Sequence, residues 1–462
     1  MQILVQNKAQ IAAIALLAIF SAVLINYILF GIAAVMLLLI YFLLDKEVLV
    51  PSTILAFLIF TSDVSETLRL ILTLLITAYL TNIYIKDFGI SVDFKTFPKN
   101  ILIVFLLLFT GFLVSSILNG VILSGIWFIV KSTFFLFLVY LYVNLSTDKI
   151  KMQRLYLIVL VISAIILSFT IFYDFYQHGI GFLISNVVMR YGGIYSNINA
   201  AGVLISTSIP VVIYFVLTEK LNFKKILYLS LFGILSVALL LTNSRSSILA
   251  AVVSILILTY ILKKDLLKKI FTYGFLALAI LLIFTPIYDL ISTVLRFERI
   301  VNTRSYIWDI TFDIIRNHFL IGVGPGQFPN YIYKYLPVML GTWDEVSISF
   351  VYEQSGLGHA HNFFLFYFSE LGLIGLLFSI AFPIIIYKLV FNYLKLFRNQ
   401  NLLFEYGISV LAISVLTGAI ARGLFESIGI FSYGWIERDL PLWVVLIVFL
   451  SSIKSRNYIY DK

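Results

Sequence analysis

The residues of this chain best placed to do chemistry are a histidine and a scattered set of arginines. In the stretch GLGHAHNFF, His359 and His361 close a polar run and Asn362 opens an apolar one. An imidazole at such a boundary accepts a proton from a hydroxyl at ordinary pH, its reference pKa being ~6.5. Asn362 either caps the following helix or orients a substrate. Glu370, nine residues beyond His361, lies about two and a half helical turns further on, so it is not expected to pair with it directly. His359 and His361 share a side of an extended segment, the beginning of a metal site. No third ligand falls at a suitable spacing, so no metal is expected. With no cysteine in the chain, disulfides, thiolate catalysis and cysteine-ligated metals are excluded.

Three other segments bring arginine to short polar breaks. In MRYGGIYSNINAAGVL, Arg190 is followed by Asn197 and Asn199 just before an apolar run. Asparagine there is a helix-capping signal, and a helix N-terminus beside an arginine suits an anion. In LLLTNSRSSILA, a turn of about four polar residues between two apolar runs holds Arg245 close to both. In RFERIVNTRSYIWDITFDIIRN, Arg296, Arg299 and Arg304 precede or begin a pattern with Ile307, Ile310, Ile314 and Ile315 on one face. That periodicity predicts an amphipathic helix on the membrane surface, capped by Asn302 or Thr303 and ended near Asn317. Arg304 in its first turn opposes the helix dipole, which hints at another use. Taken singly, each arginine also reads as a headgroup or carboxylate partner. The run GVGPGQF after His318 has neither a preceding strand nor a GK[ST] ending, so a turn is expected rather than a nucleotide loop.

These segments must be positioned by membrane helices. The 462 residues are 61% hydrophobic and 12% charged, and apolar runs long enough to cross a bilayer recur from end to end. The fold class is therefore an all-α polytopic membrane protein of 12–14 transmembrane helices, one integrated membrane domain. Spans are expected near 10–27, 28–44, 48–61, 67–86, 100–118, 121–144, 155–173, 199–218, 226–242, 247–262, 270–288, 363–391, 404–424 and 440–453. Residues 1–285 hold helices with short connections, 286–362 a large external loop with short helices, and 363–462 the last helices. The first apolar run reads as an anchor pair rather than a cleaved signal.

Every second break is basic, which makes those breaks cytoplasmic and puts both termini inside. Of the 21 basic residues assigned inside, 18 are lysine, whereas the ten outside are nine arginines and Lys334, with Lys131 inside a span. Topology asks only for positive charge within. An external set made almost wholly of arginine fits bidentate binding of phosphate.

Taken together, the SNINAAGV text, LLLTNSRSS, RSYIW followed by NHFLIGVGPGQF, and HAHNFFLFYFSELGLIG resemble the O-antigen ligase and O-antigen polymerase superfamily, which includes protein O-oligosaccharyltransferases. The likeness is best over about 190–380, and its most specific part is His361 and Asn362 followed, after nine intervening residues, by Gly372. The resemblance implies a GT-C-like helical bundle and transfer of a glycan from an undecaprenyl-diphosphate-type carrier to an acceptor hydroxyl. It implies no nucleotide sugar, no cofactor and no metal. The essential histidine corresponds to His361 and the essential arginines best match Arg190, Arg245 and Arg304, with Arg296 or Arg299 as replacements for the last. His361, Arg245 and Arg304 are then expected to be catalytic. Arg190, Asn197, Arg296, Arg299, His359 and Asn362 are expected to bind substrate.

Such a reaction needs negative charge stabilised on the leaving diphosphate and a general base for the acceptor hydroxyl. A single displacement inverts the anomeric centre. Trp308, Phe328, Tyr331, Tyr333 and Trp343 offer rings for sugars. The expected partners are a lipid-linked glycan donor, a glycan or lipid-glycan acceptor and membrane lipids, with no nucleic acid. A plasma-membrane location follows, with the site on the outer face and polymerase favoured over ligase. The alternative is a flippase of lipid-linked glycans, which would carry charges through its spans; only Lys131 and Glu370 offer themselves.

Overall fold

A computed structural model describes residues 46–60, 66–90, 93, 96–178, 190–269, 272, 302–335 and 359–460. Apolar runs broken by short polar turns leave the backbone one way to satisfy its hydrogen bonds within a bilayer, and that is helix. Accordingly the helices run α1 (Lys46–Leu55), α2 (Glu66–Phe88), α3 (Lys99–Leu118), α4 (Ile122–Ser146), α5 (Ile150–His178), α6 (Ile198–Thr218) and α7 (Asn222–Thr242). They continue with α8 (Arg245–Leu262), α9 (Asn302–Asn317), α10 (Phe328–Tyr335), α11 (Phe363–Asn399), α12 (Leu403–Gly423) and α13 (Ile436–Tyr460). Among the described residues nine helices are long and apolar enough to cross a membrane, and no strand occurs. The chain is an all-α polytopic membrane protein. The spans expected at 10–27 and 28–44, and nearly all of that at 270–288, lie outside the described residues. The short span expected at 48–61 is α1 followed by a π-helical turn, Ala56–Phe60.

Helix α8 packs closely on α12 and α6, and α11 packs on α3 and α12. At the α8–α12 crossing small residues let the backbones approach. A Cβ at Gly418 would meet the Ala250 carbonyl oxygen at 2.3 Å. This brings the start of α8 and the end of α12 to one end of the bundle, together with the start of α6. We call that the site end.

Two irregular segments enter the bundle there. The first explains the two glycine texts at once. Helix α11 is 37 residues long, about 55 Å of helix against a hydrocarbon core of about 30 Å, and it breaks at Gly372 (φ 62°). The groups freed by the break bond to the Leu320–Gly324 backbone. Val323 and Gly324 N–H donate to the Ser369 and Glu370 carbonyls (2.9 and 3.0 Å), and Leu373 N–H donates to Leu320 (3.3 Å). The chains lie so close that a Cβ at Gly322 would sit 2.4 Å from the Glu370 carbonyl, and one at Gly372 2.3 Å from that of Leu320. The buried Glu370 carboxylate then accepts from Gly326 N–H (2.8 Å) and Tyr433 OH (2.6 Å). GVGPG is thus a clasp on a broken helix.

The second segment is the α12–α13 connection, 424–435. Irregular backbone at depth is tolerated only where its polar groups find partners, and side chains supply them. Arg422 Nη2 donates to Gly429 O (2.9 Å), Trp443 Nε1 to Ile430 O (3.0 Å) and Tyr367 OH to Phe431 O (2.9 Å). Asp439 Oδ2 accepts from Ser432 N–H (2.6 Å). Two rings act as plugs. Phe431 lies 5.1 Å from Phe105 and 5.9 Å from Phe135, and Tyr433 lies 4.8 Å from both Phe128 and Phe366.

One sequence expectation is corrected here. Helix α9 has the expected bounds, but its stripe of Ile307, Ile310, Ile314 and Ile315 is buried. The helix packs on α10 and α11, so protein covers the face that the pattern would equally well have laid on lipid.

Candidate functional site

His361 stands between the clasped helix and the irregular connection. It follows a segment whose course is set from three sides. Trp308 Nε1 of α9 donates to Ala360 O (3.1 Å). Asn362 caps α11, its Oδ1 accepting from Phe364 and Leu365 N–H, while its Nδ2 donates to Leu424 O (2.9 Å). Between these ties His361 is held at φ 46°. That region is disfavoured for a side chain with a Cβ, at a cost of about 1–3 kcal/mol that the surroundings must offset.

The imidazole meets a carboxylate that the sequence reading did not mark. His361 Nδ1 lies 3.3 Å from Glu426 Oε1 and 3.4 Å from Oε2. Glu426 is buried in the α12–α13 connection, whereas the His361 side chain keeps 23% exposure. The carboxylate also accepts from Asn199 Nδ2 (2.7 Å) and from Ser427 N–H (3.2 Å). A group accepting from two other donors is an acceptor toward the ring as well, which places the proton on Nδ1 and leaves Nε2 with its lone pair.

Asn199 in turn is fixed by its neighbours. Its Oδ1 accepts from Arg190 Nη2 (2.7 Å) and Ser244 Oγ (3.3 Å). Arg190 Nε donates to Thr242 O at the α7 end (3.3 Å). The result is a relay of hydrogen bonds, Arg190 to Asn199 to Glu426 to His361, drawn from three separate stretches of chain. Arg245, half-buried, begins α8 immediately after Ser244. Each link is charge-assisted or fully buried, so each is stronger than a surface hydrogen bond.

The structure sorts the expected site residues. Arg190 and His361 share the relay, and Arg245 adjoins it. Asn197 and Asn362, expected to bind substrate, both serve as helix caps; Asn197 Oδ1 accepts from Asn199 and Ala200 N–H. His359 lies two residues from His361, and its Nδ1 is buried without a hydrogen-bond partner. Burial first, then the nearby Arg438 and His361, push its pKa down to about 4, so it is neutral at ordinary pH. Arg304 falls in the first turn of α9, with its side chain outside the described residues, as are Arg296, Arg299 and Trp343. Trp308, offered for sugar stacking, pins the histidine segment and stacks on Phe425 at 6.5 Å. Phe328 is buried. Arg422, at the end of α12 and one of the nine arginines assigned to the outside by sequence, is buried and cross-links Ser206 Oγ and Gly429 O. Among the described residues no group of three or more histidine, aspartate or glutamate side chains is arranged for a metal.

Glu426 and Asn199 are what sequence reasoning missed. The signal for Glu426 was present: a lone acid in the otherwise apolar and small tract GLFESIGIFSYG, between two spans. No match to a curated protein is found for the chain. The family model described as O-antigen ligase matches residues 230–380, from within α7 to within α11, and takes in both Arg245 and His361. That match, over about a third of the chain, supports a likeness to the O-antigen ligase and polymerase superfamily.

Proposed function

We propose that the protein is a glycosyltransferase that moves a glycan from a polyprenyl-diphosphate carrier to an acceptor hydroxyl, with the site end on the outer face of the plasma membrane. The observation that carries this reading is the His361–Glu426 pair, with a base nitrogen left available beside an arginine-bearing turn. The acceptor hydroxyl gives its proton to His361 Nε2 as its oxygen bonds to the anomeric carbon. The bond from that carbon to the diphosphate oxygen breaks, and the diphosphate leaves with the electron pair. Glu426 stabilises the imidazolium that forms, while Asn199 and Arg190 keep the carboxylate in place. Arg245, joined by Arg304, receives the developing charge on the diphosphate. One displacement inverts the anomeric configuration, and no step calls for a metal.

Polymerisation of lipid-linked units is favoured over ligation to a lipid core. The test is transfer by the purified protein from a lipid-diphosphate glycan to lipid-linked and lipid-core acceptors. His361→Ala and Glu426→Gln are expected to lower the rate by 10²-fold or more, the usual worth of a general base. Full activity in both variants would sink the mechanism, and a retained anomeric configuration would sink the single displacement.

A further inference from the structure

A second cationic cluster lies apart from the relay. Lys131 of α4 sits with Nζ 3.0 Å from the centre of the Trp435 ring, and Arg438 Cζ lies 4.9 Å from the same centre. Arg69, in the first turns of α2, places Nη1 3.6 Å from Glu437 Oε2. Arg438 Nε is 3.9 Å from Glu437 Oε1. Lys131 is within electrostatic range of Arg438, Asp439, Glu437 and Arg69. Two cations thus meet over one indole, with Arg69 beside them across Glu437.

A closed ion-pair network would be the plain explanation, and the contacts speak against it. Glu437 meets both arginines at 3.6 and 3.9 Å, beyond hydrogen-bond length. Asp439 Oδ2 already accepts from Ser432 N–H. Meanwhile Arg69 Nε and Arg438 Nε are buried donors without a hydrogen-bond partner, and Asp439 Oδ1 is a buried acceptor without one. Buried donors of this kind are rare in a finished network and call for an occupant. The cluster therefore carries more positive charge and more open donors than its own acids satisfy.

Its surroundings say what kind of occupant fits. Lys131 is nine residues into α4, about 14 Å along the helix from its site end. The helices that supply Arg69 and Lys131 pack together and leave large apolar side chains uncovered. Leu70, Ile71 and Leu74 on α2 are 54, 48 and 51% exposed, and Leu123, Trp127 and Val130 on α4 are 84, 58 and 54% exposed. Guanidinium and ammonium groups beside a lipid-facing wall match a molecule with a phosphate head and a hydrocarbon tail.

We propose that Arg69, Lys131 and Arg438 form a lipid-phosphate site, distinct from the Arg190–His361 relay, that holds the phosphoryl group of a polyprenyl phosphate or a membrane phospholipid with its chain along α2 and α4. This site does not depend on the transfer reaction for its existence.

The test is equilibrium binding to the purified full-length protein in nanodiscs of neutral lipid. The probes are sugar-free polyprenyl phosphate, phosphatidylglycerol and inorganic phosphate. Lys131→Gln and Arg438→Gln are expected to weaken binding of at least one of the two lipids about tenfold or more, the order expected for losing a charged hydrogen-bond partner. Lys334→Gln, an exposed charge elsewhere, is expected to leave it within about twofold. Which lipid responds identifies the source of the phosphate. Arg438→Lys, which keeps the charge and loses the fork, serves if the glutamine variant fails to fold. Unchanged binding of both lipids in folded Lys131→Gln and Arg438 variants overturns the site. So does competition by inorganic phosphate as effective as that of the lipids. Because the readout is binding of a sugar-free lipid, failure of glycan transfer would leave this result standing, and the reverse also holds.

Discussion

Changing Asn199 to aspartate separates orientation from charge at the His361–Glu426 pair. The variant loses the N–H that Glu426 accepts and sets a second carboxylate beside it. Added negative charge favours the protonated imidazole, so the acidic limb of the rate–pH profile is expected to move to higher pH. A limb that does not move would make Asn199 merely structural. Trp308→Phe keeps the ring on Phe425 but frees the Ala360 carbonyl. It is expected to lower the transfer rate several-fold with little loss of fold, as measured beside the melting temperature. At this scale His361 was legible because a histidine followed by Asn362 and Gly372 is local text. Its pairing with Glu426 was not, because the contact spans 65 positions, although the acid itself stands alone in an apolar tract. Asn197 and Asn199 looked alike in sequence. Only the fold decides that one caps α6 and the other bridges arginine to glutamate.

The clasp between α11 and Leu320–Gly324 is where element and motif meet. Gly372 holds φ 62° with the Leu320 carbonyl against it. With ψ at −149° this is a positive-φ region essentially confined to glycine, so Gly372→Ala is expected to cost about 1–3 kcal/mol from the backbone alone, with further loss from the clash. A lowered denaturation midpoint in detergent would show it; an unchanged midpoint would mean the break can relax. Helix bounds were largely readable from periodicity and caps, as α9 shows. The covering of a helix face was not, because the amphipathic pattern of α9 reports an apolar neighbour and says nothing of whether that neighbour is lipid or protein. GVGPG was read as a turn, and its role as backbone partner of a broken helix required seeing Ser369 and Glu370 beside it.

For the molecule as a whole, orientation and pH response are the open quantities. The chain has no cysteine, so single introduced cysteines report sidedness cleanly. Tyr176→Cys, near the end of α5, is expected to react with an impermeant maleimide from outside intact cells. Lys225→Cys, in the first turn of α7, is expected to react only after permeabilisation, and the opposite pattern would invert the assigned topology. His359 sets a second expectation. Its folded pKa is about 4 against ~6.5 when unfolded, so between these values the unfolded chain binds more protons. Its contribution is full above pH 6.5 and declines as pH falls toward 4. Thermal stability should fall over that window, and less steeply in His359→Gln. Finally, the carboxylate of the pair rides on the connection between the last two helices, while the ring precedes α11. On the proposed mechanism, a chain threading into the bilayer therefore lacks the paired base until the α12–α13 connection has docked beside the start of α11.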